Sequence, residues 1–235
     1  MRTSIGNLLI LGDSYSTFQD HIPQGYATYY KSTGPFYLEK SGEALDPTID
    51  VSTVEQTWWH QLLRETDAAL LQNCSWSGTT VCNTGYDGVD ASHKSFIARL
   101  DRLIDEGYFR EHTVDTLILF GGTNDTWAKS PLGEMMYADW KKEDLYSVLP
   151  AIGYLLHRLV EHLPRTRVLC VLNTKLRPEI EEGFLTACAH YGVETVVLKD
   201  IDKKSGHPTI LGMTQIKEQI LDRLTGGHQR EESAL

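Results

Sequence analysis

The stretch Leu8-Leu-Ile-Leu-Gly-Asp-Ser-Tyr-Ser16 joins a short apolar run, Leu8–Leu11, to a glycine and a polar turn. A run in which every residue is apolar is typical of a strand that is covered on both faces of a sheet. The sequence therefore predicts a buried sheet. Further runs of this kind occur at Ala69–Cys74, Thr116–Phe120, Val168–Leu172 and Thr195–Leu198.

Segments with helical signals separate these runs. Gln56 is placed to complete a capping box with Thr53, and Pro208 suits the first position of a helix. The alternation of strands and helices predicts an α/β fold, a three-layer α/β/α sandwich with a central parallel sheet. The predicted helices are Val54–Glu65, a helix capped by Ser92 that runs through Ile104, Lys142–Leu163, Glu179–Tyr191 and Pro208–Leu224.

The chain length and loop pattern favour one domain. We assign residues 1–225 to it, with an insertion at about residues 20–51 and a polar tail at 226–235. The insertion is rich in Gly, Pro, Ser, Thr and Tyr, and loops of that length are often functional. Its aromatic residues, Tyr29 and Tyr30 among them, form either a lid or the segment's own packing.

Composition excludes several classes of protein. The 235 residues carry 22 Lys+Arg and 32 Asp+Glu, a net charge of −10 with neutral histidines. Hydrophobic residues at 41% and charged residues at 23% are typical of a soluble globular protein. No apolar run approaches the roughly 18 residues that span a bilayer, so no membrane span is expected. The acidic balance also argues against binding to nucleic acid.

The sequence gives weaker evidence on the cellular compartment and on cofactors. As given, the chain predicts a cytoplasmic protein, but a secreted protein with its signal removed has the same pattern. Cys74 and Cys82 flank a glycine-containing loop, and the sequence leaves open whether they form a disulfide. Cys170 and Cys188 look like core residues. The chain lacks Cys-x-x-Cys and His-Glu-x-x-His spacings, so no metal and no cofactor are expected.

Polar segments follow the predicted strands where ligands bind in parallel sheets, beyond the carboxyl ends of the strands. Together with a segment before the last helix they supply a serine, a glycine loop, an Asn-Asp pair and a histidine. That set contains the nucleophile, the hydrogen-bond donors and the base that acyl transfer requires. The segments are Gly12-Asp-Ser-Tyr-Ser16, Ser75-Trp-Ser-Gly-Thr-Thr80, Gly121-Gly-Thr-Asn-Asp125 and Ser205-Gly-His-Pro208.

In this order the four segments resemble the sequence blocks of the SGNH hydrolases, the GDSL esterase/lipase superfamily. The resemblance spans residues 12–208 and implies the flavodoxin-like fold of that family. It implies that Ser14 is the nucleophile and that His207 is the general base. It further implies an oxyanion hole formed by the Ser14 amide, the Gly78 amide and the Asn124 side chain.

One position departs from the family pattern. The family usually carries an aspartate three residues before the histidine to orient the imidazole, and Lys204 occupies that position here. A charged lysine cannot accept the Nδ1 proton. We predict that Asp202 takes the role by a different path. The alternative is a backbone carbonyl, which leaves a Ser14–His207 dyad, while Asp125 is expected to accept hydrogen bonds from loop amides.

The predicted function is a serine esterase that removes a short acyl group, with acetyl favoured, from a carbohydrate or a similar polar substrate. Trp76 and Trp127 lie close in sequence to Gly78 and Asn124, and they are the candidate substrate-binding residues. One alternative is a lipid or thioester acylhydrolase. Another is a non-catalytic carbohydrate-binding protein on the same scaffold, because fold alone does not determine function. The oligomeric state is left open.

Overall fold

The computed structural model describes residues 5–32 and 50–226, and within them five parallel strands form the central sheet. The strand order is β2-β1-β3-β4-β5, so the three-layer, flavodoxin-like α/β class predicted from sequence is confirmed. Residues 33–49 of the predicted insertion and 227–235 of the predicted tail lie outside the described residues. The strands are β1 (Asn7–Gly12), β2 (Ala69–Asn73), β3 (Thr116–Gly121), β4 (Arg167–Leu172) and β5 (Glu194–Val197).

Helices cover both faces of this sheet. Alternate residues of β1 point to opposite faces, so Leu9 and Leu11 join one buried cluster while Leu8 and Ile10 join the other. The first cluster packs on α2, α5 and α6 and the second on α1 and α7. The helices are α1 (Trp58–Glu65), α2 (Phe96–Asp105), α3 (Tyr108–Glu111), α4 (Thr123–Trp127), α5 (Val148–His162), α6 (Pro178–Tyr191) and α7 (Ile210–Thr225).

Two helices begin later than the sequence pattern predicts. Ser95, not Ser92, caps α2, because its side chain accepts a hydrogen bond from the Ala98 amide at 3.1 Å. Thr209 caps α7 in the same way through the Gly212 amide, also at 3.1 Å. Pro208 therefore does not start the helix. It belongs to a two-residue strand, β7 (His207–Pro208), which pairs antiparallel with β6 (Lys203–Lys204).

Two other predicted helices are preceded by a separate 3-10 turn. Val54–Gln56 and Asp144–Tyr146 form these turns, and α1 and α5 follow them. The capping box is present, since Gln56 Oε1 accepts from the Thr53 amide at 2.9 Å. Cys74, Cys82, Cys170 and Cys188 are buried free thiols, so Cys74 and Cys82 do not form the disulfide that the sequence left open.

The described part of the chain contains no helix that is long and apolar enough to cross a bilayer.

A buried arginine connects the sheet to the loops at its carboxyl edge. Arg99 of α2 is fully buried and donates to the carbonyl of Gly12 at 2.8 Å, to the carbonyl of Cys74, and to Thr79 Oγ1 at 3.0 Å. Burial lowers the pKa of its guanidinium to about 10, so the group stays charged at neutral pH. The ends of β1 and β2 are thereby held against one cation.

Replacement of this cation should destabilise the fold. We expect Arg99→Met to lower the free energy of unfolding by about 2–4 kcal/mol, because buried carbonyls lose their charged donor. Urea denaturation measures the change. Arg102→Met on the same helix is the control, since Arg102 is only partly buried and contacts the Tyr26 hydroxyl and the His93 carbonyl. Equal unfolding midpoints for the two variants would contradict this role of Arg99.

Candidate active site

Ser14 and His207 meet at the carboxyl edge of the sheet. Ser14 begins a 3-10 turn, Ser14–Ser16, directly after β1, and Asp13 caps this turn by accepting from the Tyr15 amide at 3.1 Å. Ser14 is only 3% exposed, and its Oγ lies 2.9 Å from His207 Nε2. The fold thus brings the predicted nucleophile and base, 193 residues apart in sequence, into hydrogen-bond contact.

His207 is presented by the β6–β7 hairpin. Ser205 and Gly206 form its turn with φ values of 47° and 79°. Positive φ at both central residues is the mark of a type I′ turn, which suits a two-residue hairpin. Lys204, the residue three before the histidine, is therefore the cross-strand partner of His207. The acceptor that faces His207 Nδ1 is the backbone carbonyl of Ser205, at 3.4 Å.

The prediction that Asp202 orients His207 is wrong. The Asp202 carboxylate accepts from the Thr209 hydroxyl, and the Asp202 carbonyl accepts from the Thr209 amide at 3.2 Å. Asp202 lies before the hairpin, so the tight turn brings the Ser205 carbonyl close to the imidazole and leaves Asp202 at the start of α7. The structure therefore has the arrangement that the sequence left as the alternative to a carboxylate.

Three tyrosines hold the hairpin and the imidazole ring. The His207 ring stacks on Tyr29, with centroids 3.5 Å apart and an interplanar angle of 8°. The Tyr15 hydroxyl donates to the Gly206 carbonyl, and the Tyr30 hydroxyl donates to the Pro208 carbonyl at 2.9 Å. The aromatic residues at the start of the predicted insertion thus pack beneath the hairpin.

Burial controls the charge of His207. It lowers the pKa of the imidazole to about 3, against a smaller raising effect of the Ser205 carbonyl, and the charge of Lys203 lowers it further. The imidazole is therefore neutral at physiological pH and can accept a proton at Nε2.

The predicted oxyanion donors lie on the segments that follow β1, β2 and β3. Gly78 has a φ of +74°, and a Cβ there would meet nothing within 4 Å, so this glycine serves the backbone conformation and not close packing. The amides of Ser14 and Gly78 have no acceptor among the described residues. Asn124 lies in the first turn of α4, with its Nδ2 at 3.5 Å from Asp13 Oδ2.

A contact that sequence reasoning missed fixes the Asn124 amide. The Tyr86 hydroxyl donates to Asn124 Oδ1 at 2.7 Å, which directs Nδ2 toward the Asp13–Ser14 turn. Tyr86 lies in a surface loop with 39% of its surface exposed. No motif marks it in the sequence.

Two buried carboxyl groups support the site from below. Burial raises the pKa of Asp13 to about 7, although the Tyr15 amide and the charge of Arg99 lower it. Burial likewise raises the pKa of Asp125 to about 6. Asp125 accepts from the Val81 amide at 2.9 Å and from the Cys82 amide at 3.2 Å, so it holds the loop after Gly78, as the sequence predicted.

The two candidate tryptophans differ in their surroundings. Trp76 is half-buried and stacks on Tyr26, with ring centroids 4.1 Å apart. Trp127 is 42% exposed, and its ring centroid lies 5.6 Å from that of His207. A cavity of about 250 Å³ opens beside Trp127 and Tyr15.

A larger cavity of about 470 Å³ lies between β5 and α7 and contains none of these site residues. Among the described residues no group of three or more His, Cys, Asp or Glu side chains is arranged to hold a metal ion.

Comparison with known proteins agrees with this geometry. The profile of the GDSL-like lipase/acylhydrolase family matches residues 6–224. A crystal structure from Bacteroides ovatus, described as a GDSL-like lipase, is 41% identical and superposes with a TM-score of 0.82 over 94% of this chain and 98% of that chain. A second such structure, from Bacteroides uniformis, is 39% identical with a TM-score of 0.82, over 94% of this chain and 95% of that one.

More distant structures share the fold alone. An acetyl xylan esterase from Butyrivibrio proteoclasticus is 17% identical, with a TM-score of 0.56 over 97% of this chain and 65% of that chain. No functionally curated protein matches the chain in sequence.

The fold and the sequence match define the class of the protein, which is a carboxylic ester hydrolase. Within that class, the chain belongs to the GDSL-like lipase/acylhydrolase family.

The charge state of His207 gives a prediction that needs no substrate. We expect the ring nitrogens of His207 to keep the chemical shifts of a neutral imidazole from about pH 8 to about pH 5, because burial moves its pKa well below the usual value near 6.5. Heteronuclear NMR of the histidine rings measures this, and the His207→Gln variant identifies the resonance. A titration midpoint near the usual value would contradict the buried, neutral imidazole.

Proposed function

We propose that this protein hydrolyses short acyl esters, acetyl esters above all, of carbohydrates or similarly polar alcohols, with Ser14 as nucleophile and His207 as general base. The observation that carries the proposal is the 2.9 Å contact between Ser14 Oγ and His207 Nε2. The neutral imidazole in that contact can accept the hydroxyl proton as Oγ attacks.

The reaction follows from the groups in contact. Ser14 Oγ bonds to the carbonyl carbon of the ester while its proton passes to His207 Nε2. The negative charge that develops on the carbonyl oxygen is stabilised by the amides of Ser14 and Gly78 and by Asn124 Nδ2. When the intermediate collapses, the ester C–O bond breaks and the departing alcohol takes the proton from His207. A water molecule then releases the acyl group by the same steps.

The proposed base works as a dyad with a backbone acceptor. The proton on His207 Nδ1 is directed at the Ser205 carbonyl, 3.4 Å away, where the family usually places a carboxylate. A neutral carbonyl stabilises the transient imidazolium less than a carboxylate does. The stacking of the ring on Tyr29 and the anchored hairpin supply the orientation that a carboxylate would otherwise give.

A polar substrate suits the surroundings of Ser14. The exposed face of Trp127 offers a flat surface of the kind on which a sugar ring packs, and Trp76 with its partner Tyr26 forms a second aromatic surface. Six of the ten residues that line the cavity beside Trp127 are threonine, asparagine or lysine, among them Thr123, Asn173 and Thr174. An acyl chain of a lipid would favour an apolar groove instead, so this lining supports the carbohydrate reading.

Hydrolysis of nitrophenyl esters from acetate to dodecanoate tests the proposal. We expect kcat/KM to be highest for acetate, and Ser14→Ala to lower kcat by at least about a thousandfold because the nucleophile is lost. Thr17→Ser, which keeps a hydroxyl on the same turn, is the control with near wild-type rates. A maximum at long acyl chains would favour the lipid acylhydrolase. Equal rates for the wild type and Ser14→Ala would favour the non-catalytic binding protein.

The Tyr86 contact predicts a positioning role. We expect Tyr86→Phe to lower kcat by about tenfold with little change in KM, because loss of a complete oxyanion donor costs about 2.7–4 kcal/mol and Asn124 would be only misoriented. Tyr146→Phe is the control, since the Tyr146 hydroxyl contacts Asp90 and not Asn124.

A double-mutant cycle separates this role from a general packing effect. In an Asn124→Ala background, Tyr86→Phe should have no further effect on kcat, because its hydroxyl would have no amide to orient. An additional tenfold loss in that background would show that Tyr86 acts by another path.

A further inference from the structure

The cavity beside the Ser14–His207 pair carries two lysines. It has a volume of about 250 Å³, and Tyr15, Gly206 and Trp127 form the side nearest His207. Lys175 and Lys203 line the same cavity. The position of the cavity means that a group bound there would lie close to an ester held at Ser14.

Lys203 is held in place by neutral partners. Its Nζ donates to Asn173 Oδ1 at 2.7 Å and to Thr174 Oγ1 at 2.6 Å, and it lies 5.3 Å from the centre of the Tyr15 ring. An ammonium group has three N–H donors, so these contacts leave capacity for a further acceptor. Among the described residues, no carboxylate forms an ion pair with Lys203 or Lys175.

The charge of this cavity is opposite to that of the chain. The whole chain has a net charge of −10, yet two cations border one small cavity. Burial and the charge of Lys175 lower the pKa of Lys203 to about 8, although the Asp13 carboxyl raises it, so the ammonium is still mostly charged at neutral pH. A partly buried cation without an anionic partner is costly, and a bound anion would offset that cost.

We propose that this cavity is a subsite for an anionic group on the alcohol part of the substrate, a sugar carboxylate or sulfate next to the ester. The inference rests on the proposed function, because it assigns the substrate class for the same site. The two ammonium groups attract the anion as point charges, and Thr123 and Thr126 line the same cavity.

Three matched sugars test the subsite. Each is a monoacetylated methyl glucoside, and carbon 6 is a hydroxymethyl group, a carboxylate or a sulfate ester. The measurement is kcat/KM for acetate release from each. We expect the wild type to prefer an anionic sugar over the neutral one by about tenfold, equivalent to about 1.4 kcal/mol. The carboxylate and sulfate arms distinguish the two sources of negative charge.

The lysine variants assign this preference to the cavity. Lys175→Met should reduce the ratio of anionic to neutral kcat/KM to about one-third of its wild-type value or less. Lys203→Met should reduce that ratio more than Lys175→Met does, whereas Lys203→Arg should keep most of the wild-type ratio. Lys199→Met removes the same charge from an exposed position beside β5, outside this cavity, and should leave the ratio unchanged. Added salt should lower the wild-type ratio of anionic to neutral kcat/KM, because it screens the charge of Lys175, which is exposed.

A binding measurement keeps the subsite distinct from catalysis. Calorimetry with Ser14→Ala compares methyl glucuronide, methyl glucoside 6-sulfate and methyl glucoside. Tighter binding of an anionic sugar, lost in Lys175→Met, supports the subsite even if no acetylated sugar is hydrolysed, in which case only the proposed function fails. Equal binding of all three sugars, or a preference that survives both lysine substitutions to methionine, overturns the subsite.

Discussion

The buried guanidinium of Arg99 is the interaction on which the candidate site depends, because it gathers backbone carbonyls from segments that are distant in sequence. It contacts Gly12 after the core of β1, Cys74 after β2 and the hydroxyl of Thr79 beyond Gly78. Carbonyls at the carboxyl edge of a parallel sheet that are not paired in the sheet need donors. One planar cation with several donors can serve two such carbonyls and a hydroxyl at once. Desolvation of the charge opposes this arrangement, and the nearby Asp13 offsets part of that effect.

The close packing around Gly12 follows from the same arrangement. A Cβ at this position would lie 2.5 Å from Ser75 Oγ and 2.8 Å from the Ser16 side chain, so only glycine lets the two strand ends approach this closely. The chain can therefore turn directly after β1 and present Ser14 at the edge between β1 and β3. That edge is where the strand order reverses, and it is the usual ligand site of such sheets.

Much of the site could be predicted from sequence because each key side chain stands beside a local signal. Ser14 and Asn124 directly follow apolar strands, and strand ends converge in any parallel sheet. The error at Asp202 came from counting residues along the chain, whereas a type I′ turn at Ser205 and Gly206 changes which acceptor reaches the imidazole. The Ser-Gly pair before His207 was the available signal for that turn.

Other contacts could not be read from the sequence. The partners of Arg99 at the sheet edge lie 20 to 87 residues away, the partner of Tyr86 lies 38 residues away, and those of Lys203 lie 29 and 30 residues away. No spacing rule links such residues. The late start of α2 has a different cause. Ser92 and Ser95 are both acceptable caps by type, and the choice of Ser95 depends on tertiary contacts, including its own hydroxyl donating to Asn83 Oδ1 at 2.7 Å.

The two buried titratable groups beneath Ser14 have opposite effects on pH-dependent stability. The folded pKa of Asp13, about 7, lies above its usual value of 3.8, so this group favours folding at low pH and its contribution is lost as pH rises toward 7. The folded pKa of His207, about 3, lies below its usual value of 6.5, so this group disfavours folding progressively as pH falls below 6.5. Between about pH 3.8 and pH 6.5, both side chains are neutral in the folded protein and charged in the unfolded chain. The proton that Asp13 takes up on folding therefore largely cancels the proton that His207 releases. His207 is therefore uncharged in the resting state. It becomes charged when Ser14 gives its proton to it, next to donors that are already in place for the oxyanion.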